Sequence, residues 1–290
     1  NNKGGIECDL TVSRITDNEF YLVSGTGFRT HDQAWIKNKI FPEDKVDLLD
    51  LTEDLSTLSL MGPLSREVLS KVTETSLEND EFPYGKCLYI NIKGHSVLAI
   101  RISYVGELGW ELHMKQSSLE FVYDVLMDIG KEFKIINAGY RAIESLRLEK
   151  GYRVLGSDIT ADTTPFEAGL GWAVKLQSRK NFVGKEALLE KQEQSIQKRL
   201  VCLTLDDPNI VLLGRETIYR NGEIVGWLTS GGWGYTVQKN IGYGYVRNSK
   251  GVDRNYLISG NYEIEISSTR YQCRLELNTL YDSKKERILI

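Results

Sequence analysis

Apolar positions along the chain first alternate, then repeat at helical spacing, then alternate again, and that order sets the expected elements. Residues 9–25 read as a β-hairpin, with Leu10 and Val12 on one arm, Phe20 and Leu22 on the other, and the polar turn Thr16-Asp17-Asn18 between them. A helix is expected from about Thr30, carrying Ala34, Trp35, Ile36 and Ile40. Leu55, Leu58 and Leu60 make a short strand that stops at Gly62-Pro63. The proline suits the first turn of a following helix bearing Leu64, Val68, Leu69 and Val72. Over 86–114 the pattern is β again: Leu88, Ile90 and Ile92, a turn at Lys93-Gly94-His95, and a strand over 97–104. A glycine turn, Gly106-Glu107-Leu108-Gly109, leads into a last arm over 110–113. Leu119, Val122, Val125, Leu126 and Ile129 then recur as one face of an amphipathic helix. Residues 139–150 read as a further helix, with Gly151 where a C-terminal cap belongs.

Past a polar, charged stretch at 192–197 the pattern is almost wholly β. Residues 199–205 alternate, 217–227 form a hairpin around the turn Asn221-Gly222, and 241–246, 262–266 and 271–277 add strands. The chain has 290 residues, more than one average domain, so two units are expected. The division falls at the polar stretch, giving 1–190 as a mixed α+β domain and 198–290 as a small antiparallel barrel or sandwich.

Composition narrows the function classes. Hydrophobic residues are 41% and charged residues 26%, ordinary for a globular protein and unlike a disordered or collagen-like chain. Net charge is −4, which argues against a general nucleic-acid partner. No run approaches the ~18 apolar residues of a membrane span. Cys8, Cys87, Cys202 and Cys273 are scattered and none forms CxxC, so no metal site is expected and a reducing compartment is the simpler reading. His31, His95 and His113 show no metal spacing, which leaves acid–base work to carboxylates. The opening Asn1-Asn2-Lys3-Gly4-Gly5 carries no methionine and no presequence, as expected of a piece of a longer protein.

Two segments carry candidate chemistry. Gly4-Gly5-Ile6-Glu7-Cys8-Asp9-Leu10 places carboxylates at i and i+2, on one face of an extended chain and beside closely approachable glycine backbone. Such a carboxylate stabilises a developing cation or takes a proton. The same residues also read as surface acids at a strand entrance, the commoner case by residue type. In Ser103-Tyr104-Val105-Gly106-Glu107-Leu108-Gly109-Trp110-Glu111, aromatics and acids flank a glycine-rich turn. A fixed carboxylate accepts two parallel hydrogen bonds, which suits a flat heterocycle presenting an amino group beside a ring N–H, and aromatics supply stacking faces. A plain hairpin with a core tryptophan fits these residues equally well. Gly231-Gly232-Trp233-Gly234 lacks a phosphate-loop pattern and is expected to be a tight turn, as is Gly4-Gly5. Lys284, Lys285 and Arg287 could meet an anionic ligand tail or simply be solvated.

Taken together, these segments resemble the aminomethyltransferase superfamily. The resemblance rests on the Gly4–Val12 opening read above, on Tyr104 through Glu111, on Thr164-Pro165-Phe166-Glu167-Ala168-Gly169-Leu170-Gly171-Trp172 and on Phe182-Val183-Gly184-Lys185-Glu186-Ala187-Leu188. Residues 137–152, with Arg147-Leu148-Glu149-Lys150-Gly151-Tyr152 at their end, are similar to the sarcosine dehydrogenase branch in particular. The resemblance implies a ring of α+β subdomains around a central channel, closed by a C-terminal β-barrel domain. It implies tetrahydrofolate as cofactor, a catalytic role for Asp9, pterin contacts for Tyr104 and Glu111, and a folate-tail contact for Arg287. In that branch a flavin domain, with FAD, precedes the folate domain and oxidises an N-methyl amine, so FAD is expected only outside this chain. The implied partners are folate, a sarcosine-derived iminium and the flavin domain of the full-length chain, with no nucleic acid and no membrane, and the implied location is the mitochondrial matrix. Dimethylglycine dehydrogenase, the glycine-cleavage enzyme and a non-catalytic regulatory homologue share the pattern. Cys8 and Ile143 stand where the glycine-cleavage enzyme has an aspartate and an arginine, which favours the dehydrogenase branch.

Overall fold

A computed structural model describes all residues, 1–290, and packing groups them into two compact units. One comprises residues 9–139 and 284–290, the other residues 1–8 and 140–283.

The first unit opens with the expected hairpin, β1 (Leu10–Arg14) and β2 (Phe20–Ser24), in register Val12↔Leu22 and Ser13↔Tyr21. Helix α1 (Arg29–Lys37) follows, then β3 (Leu55–Met61) and α2 (Ser65–Ser70). Strands β4 (Cys87–Ile92) and β5 (His95–Ile100) are joined by Lys93 and Gly94, both at positive φ, as a two-residue hairpin turn requires. Then come β6 (Gly109–Lys115) and α3 (Leu119–Gly130). The sheet order is β3-β6-β5-β4, all antiparallel. Because side chains alternate along a strand, one face of this sheet presents Leu60, Trp110, Leu112, Met114, Val97, Ala99, Ile90 and Ile92, which pack with Val122 and Leu126 of α3 as the core. Phe82 meets Trp110 edge-on at 6.0 Å between ring centroids.

The strand expected over 97–104 ends four residues early, at Ile100. The Arg101 backbone still pairs with Lys86 O and Gly85 N, at 2.9 and 2.8 Å, while its side chain turns inward. It is almost wholly buried and donates to Asn79 Oδ1, Phe82 O and Ile290 O, each at 2.6 Å. Burial, with the nearby positive charge of Arg66, pushes its pKa below the ordinary value. Pro63 also falls short of the expected helical turn, since α2 begins only at Ser65 with Leu64 as its cap residue.

The second unit contains α4 (Tyr140–Lys150), capped by Gly151 at φ +75, and α5 (Lys185–Gln192). Strands β7 (Lys198–Leu205), β8 (Thr217–Arg220), β9 (Glu223–Gly234), β10 (Lys239–Arg247), β11 (Tyr262–Ile266) and β12 (Thr269–Glu276) close into a barrel in the order β10-β7-β12-β11-β8-β9, with α6 (Arg254–Ile258) before β11. Asn221 and Gly222, at φ +52 and +85, turn β8 into β9 as their identities predict. The glycines 231, 232 and 234 are not a turn but lie inside β9. A Cβ on Gly231 would sit 2.9 Å from the backbone of Leu212, so glycine there admits a neighbouring segment to the strand. The first unit also takes the last helix, α7 (Glu286–Leu289).

Candidate folate site

The sheet of the first unit has a second face, and the predicted carboxylate lies on it. Counting from the core residues Trp110 and Leu112 of β6, the alternate positions Glu111 and His113 point the other way. Across the ladder they pair with Ser59 and Thr57 of β3 and with Ile100 and Leu98 of β5. The β1–β2 hairpin covers this face. Its Tyr21 ring meets the His113 ring edge-on at 5.3 Å, and the Cys87 thiol approaches Arg14 O at 3.9 Å.

Glu111 is therefore held on a rigid strand, partly open, with 22% of its side chain exposed beside a His113 side chain that is 2% exposed. Its Oε2 lies 3.3 Å from His113 Nε2. The other ring nitrogen, Nδ1, is 2.9 Å from Thr57 Oγ1 and 3.2 Å from the Tyr21 hydroxyl. Burial first, then the charge of Glu111 and Tyr89, pushes the Tyr21 phenol above its ordinary pKa, so it keeps its proton. This cluster was not legible as chemistry in the sequence. The available signal was spacing: in a strand, i and i+2 share a face, so Glu111 fixes His113 as its neighbour.

Tyr104 lies in the irregular segment between Arg101 and β6, 38% exposed, with Gly106 at φ +77 two residues on. Arg101, held by Asn79, Phe82 and Ile290, anchors the start of that segment. Arg101 and Arg66 also donate to Ile290 O, and Asn79 donates to Leu289 O, which pins α7 and with it the exposed Arg287. Asp9 sits in extended chain immediately before β1. Crowding by surrounding protein, then the charge of buried Asp32, raises its pKa above the ordinary carboxylate value; its side chain still reaches solvent, which tempers the effect. Asp32 receives His31 Nδ1 on one oxygen at 2.9 Å, while its buried Oδ2 has no hydrogen-bond partner. Asp9, Tyr104, Glu111 and Arg287 thus all belong to one compact unit.

The charged motif at the end of α4 has a different role, within the second unit. Arg147 donates to Asp158 Oδ2 and Ser230 Oγ, both at 2.8 Å, and pairs with Glu144. Glu149 accepts the backbone N–H groups of Thr236 and Val237 at 2.6 and 3.0 Å, and Lys150 donates to Asp282 at 2.6 Å. All three are buried, so these residues organise the fold around the barrel. The Gly4-Gly5 turn belongs to the same unit. Gly4 has φ +78, and a Cβ on Gly5 would lie 1.7 Å from Ala161 O. Glu7, expected to share a face with Asp9, accepts Asn1 Nδ2 at 2.8 Å.

A mixed α+β part and a closed antiparallel barrel define the class: the aminomethyltransferase fold. The GCVT N-terminal domain matches residues 1–178, and the glycine cleavage T-protein C-terminal barrel domain matches residues 198–282. The chain belongs to this family. It is 37% identical over 304 residues to mitochondrial sarcosine dehydrogenase of Mus musculus, covering 99% of this chain and 33% of that protein. It therefore spans about a third of that relative's length. It is 33% identical over 274 residues to the aminomethyltransferase of Alkaliphilus metalliredigens, covering 94% of this chain and 72% of that protein. The crystal structure of the glycine cleavage system aminomethyltransferase T from Bartonella henselae superposes with a TM-score of 0.82 at 25% identity, covering 98% of this chain and 74% of that one.

Proposed function

We propose that this chain is the tetrahydrofolate-binding part of a sarcosine dehydrogenase-like enzyme, which captures the methylene of oxidised sarcosine and leaves glycine. The domain division that goes with it is the folate domain over 1–190 and the barrel domain over 198–290. The observation that carries the reading is Glu111: a partly open carboxylate on the hairpin-covered face of the sheet, with a buried imidazole near one oxygen and its remaining lone pairs available. That donor–acceptor arrangement fits an amino group beside a ring N–H, the edge a pterin presents. Tyr104, exposed in its loop, supplies a stacking face.

Reduced folate, when bound, supplies the nitrogens that take up the one-carbon unit. The chain's residues bind and orient it: Glu111 fixes the heterocycle's edge, and Arg287 meets the anionic tail. Asp9 takes or holds a proton at its carboxylate beside the reacting end, a role helped by a raised proton affinity. Keeping the acceptor close favours transfer over hydrolysis of the iminium to formaldehyde. FAD would belong to a flavin domain outside this chain, where the choice between sarcosine and dimethylglycine would also be made. The proposed location is the mitochondrial matrix, in keeping with the mitochondrial relative. No helix is long and apolar enough to cross a membrane.

The test is the product ratio of the full-length enzyme carrying Asp9→Asn, under saturating folate. Sarcosine oxidation should continue while product shifts from methylenetetrahydrofolate to free formaldehyde, because Asp9 acts in the transition state more than in binding. An unaltered ratio would return Asp9 to the role of a structural acid.

A further inference from the structure

We infer that His113 is a positioning residue for Glu111, and that Tyr21 and Thr57 set its tautomer so that an Nε2–H is aimed at the carboxylate. The inference rests on Glu111 being the pterin-binding group, and it names the residues that make that group competent.

The argument starts from the imidazole's valence. A neutral ring carries one proton, and the nitrogen without it offers one in-plane lone pair. Two hydroxyls converge on Nδ1: Thr57 Oγ1 at 2.9 Å and Tyr21 at 3.2 Å. The phenol keeps its proton because burial and the Glu111 charge raise its pKa. Either hydroxyl donating to Nδ1 places the ring's proton on Nε2. That nitrogen is buried, makes no hydrogen bond, and lies 3.3 Å from Glu111 Oε2. A buried donor with no partner, this close to a carboxylate oxygen, is satisfied when the glutamate side chain turns to bring that oxygen into line with the N–H.

Each partner comes from a different element, so the arrangement is over-determined. Thr57 stands on β3, directly across the ladder from His113 on β6, and Tyr21 comes from the covering hairpin. The ring cannot rotate without breaking the edge-on contact with Tyr21. Once that bond is made, one carboxylate oxygen is held from the protein side and the rotamer of Glu111 is set before the ligand arrives. The other oxygen and the outer lone pairs are left to the heterocycle. Holding a binding group rigid in advance removes an ordering cost from the binding step, which is how a residue that never touches the ligand raises its affinity.

Two measurements test this on the folded chain. Histidine 15N NMR of the unliganded protein reads the tautomer directly; the expected result for His113 is an Nε2–H form with Nδ1 as acceptor, and an Nδ1–H form overturns the inference. Calorimetric titration with tetrahydrofolate compares wild type, His113→Gln and His113→Asn, with thermal unfolding as the fold control. Glutamine can place an N–H near the Nε2 position, whereas asparagine reaches only the Nδ1 position. Binding should weaken about ten- to a hundredfold in His113→Asn, the range for losing a hydrogen bond to a charged group, and be largely restored in His113→Gln. Equal affinity in all three overturns the positioning role and leaves Glu111 as pterin ligand intact. No binding by wild type removes the folate reading and this inference together. If His113→Asn fails to fold, Thr57→Val and Tyr21→Phe made together, which leave Nδ1 without donors, must shift the NMR tautomer, and an unmoved tautomer overturns the inference.

Discussion

Arg147→Met probes why the charged motif at the end of α4 is buried. In the native protein Arg147 and Asp158 each have 1% of their side chain exposed and meet at 2.8 Å. Asp158 also accepts Val154 N at 3.1 Å, Thr229 Oγ1 at 2.5 Å and Ser230 Oγ at 2.7 Å. Methionine keeps most of the volume but leaves Asp158 a buried charge facing only neutral donors. Breaking a buried pair by removing one partner costs about 3–5 kcal/mol, and the three remaining donors place this case near 3 kcal/mol. That is a large share of the roughly 5–15 kcal/mol typical of a folded protein. The assay is urea unfolding followed by circular dichroism, read as a lower midpoint at unchanged slope. Adding Asp158→Asn should cost less than the two single changes summed, by about 1 kcal/mol or more, because the charge that needed Arg147 is gone. A loss under about 1 kcal/mol for Arg147→Met, or strict additivity in the double variant, would refute the reasoning.

Other expectations follow from single residues. Gly5→Ala forces a methyl to 1.7 Å from Ala161 O, so the backbone must move; thermal unfolding should show a loss of about 2 kcal/mol or more, and a neutral result would mean the turn is pliable. Tyr104→Ala, at a 38% exposed position, should weaken tetrahydrofolate binding while leaving the urea midpoint unchanged. Asp9 has a folded pKa above its unfolded value, so the folded state binds the proton more tightly and Asp9 lowers stability as pH rises through that interval. Asp9→Asn should therefore be more stable than wild type at neutral pH, with the difference fading below about pH 4, the unfolded carboxylate range; a difference that grows in acid would contradict the sign. Burial pushes the Cys202 and Cys273 thiols to about 12, so alkylation of both at neutral pH should be slow in the native protein and fast on unfolding.

Much of the fold was legible because local signals agreed with their surroundings. Asn221-Gly222 supplies two positive-φ residues where a hairpin needs them, and the face Leu119, Val122, Leu126 and Ile129 meets the sheet's apolar side as its spacing implies. The misreadings occurred where tertiary contacts outweigh local preference. Nothing in the run 97–104 announces that the Arg101 side chain will be buried against Asn79, Phe82 and Ile290, since those partners are distant in sequence. Glycines inside β9 look like a turn until Leu212 is placed against them. The candidate site divides in the same way. Glu111 stood out by its type and glycine-rich setting, whereas His113 looked like an isolated histidine. Its meaning depends on Tyr21 and Thr57, which only the covering hairpin and the β3–β6 register bring to it.

The central claim is that Glu111 holds the pterin edge of a reduced folate. Calorimetric titration of tetrahydrofolate into the wild-type chain and into Glu111→Gln tests it most directly. The glutamine keeps the size of the side chain but replaces one accepting oxygen by a donor and removes the charge, so binding should weaken by about 1–3 kcal/mol. Measurable binding by wild type with an unchanged dissociation constant in Glu111→Gln would remove Glu111 from the site, and no binding by wild type would contradict the folate assignment itself.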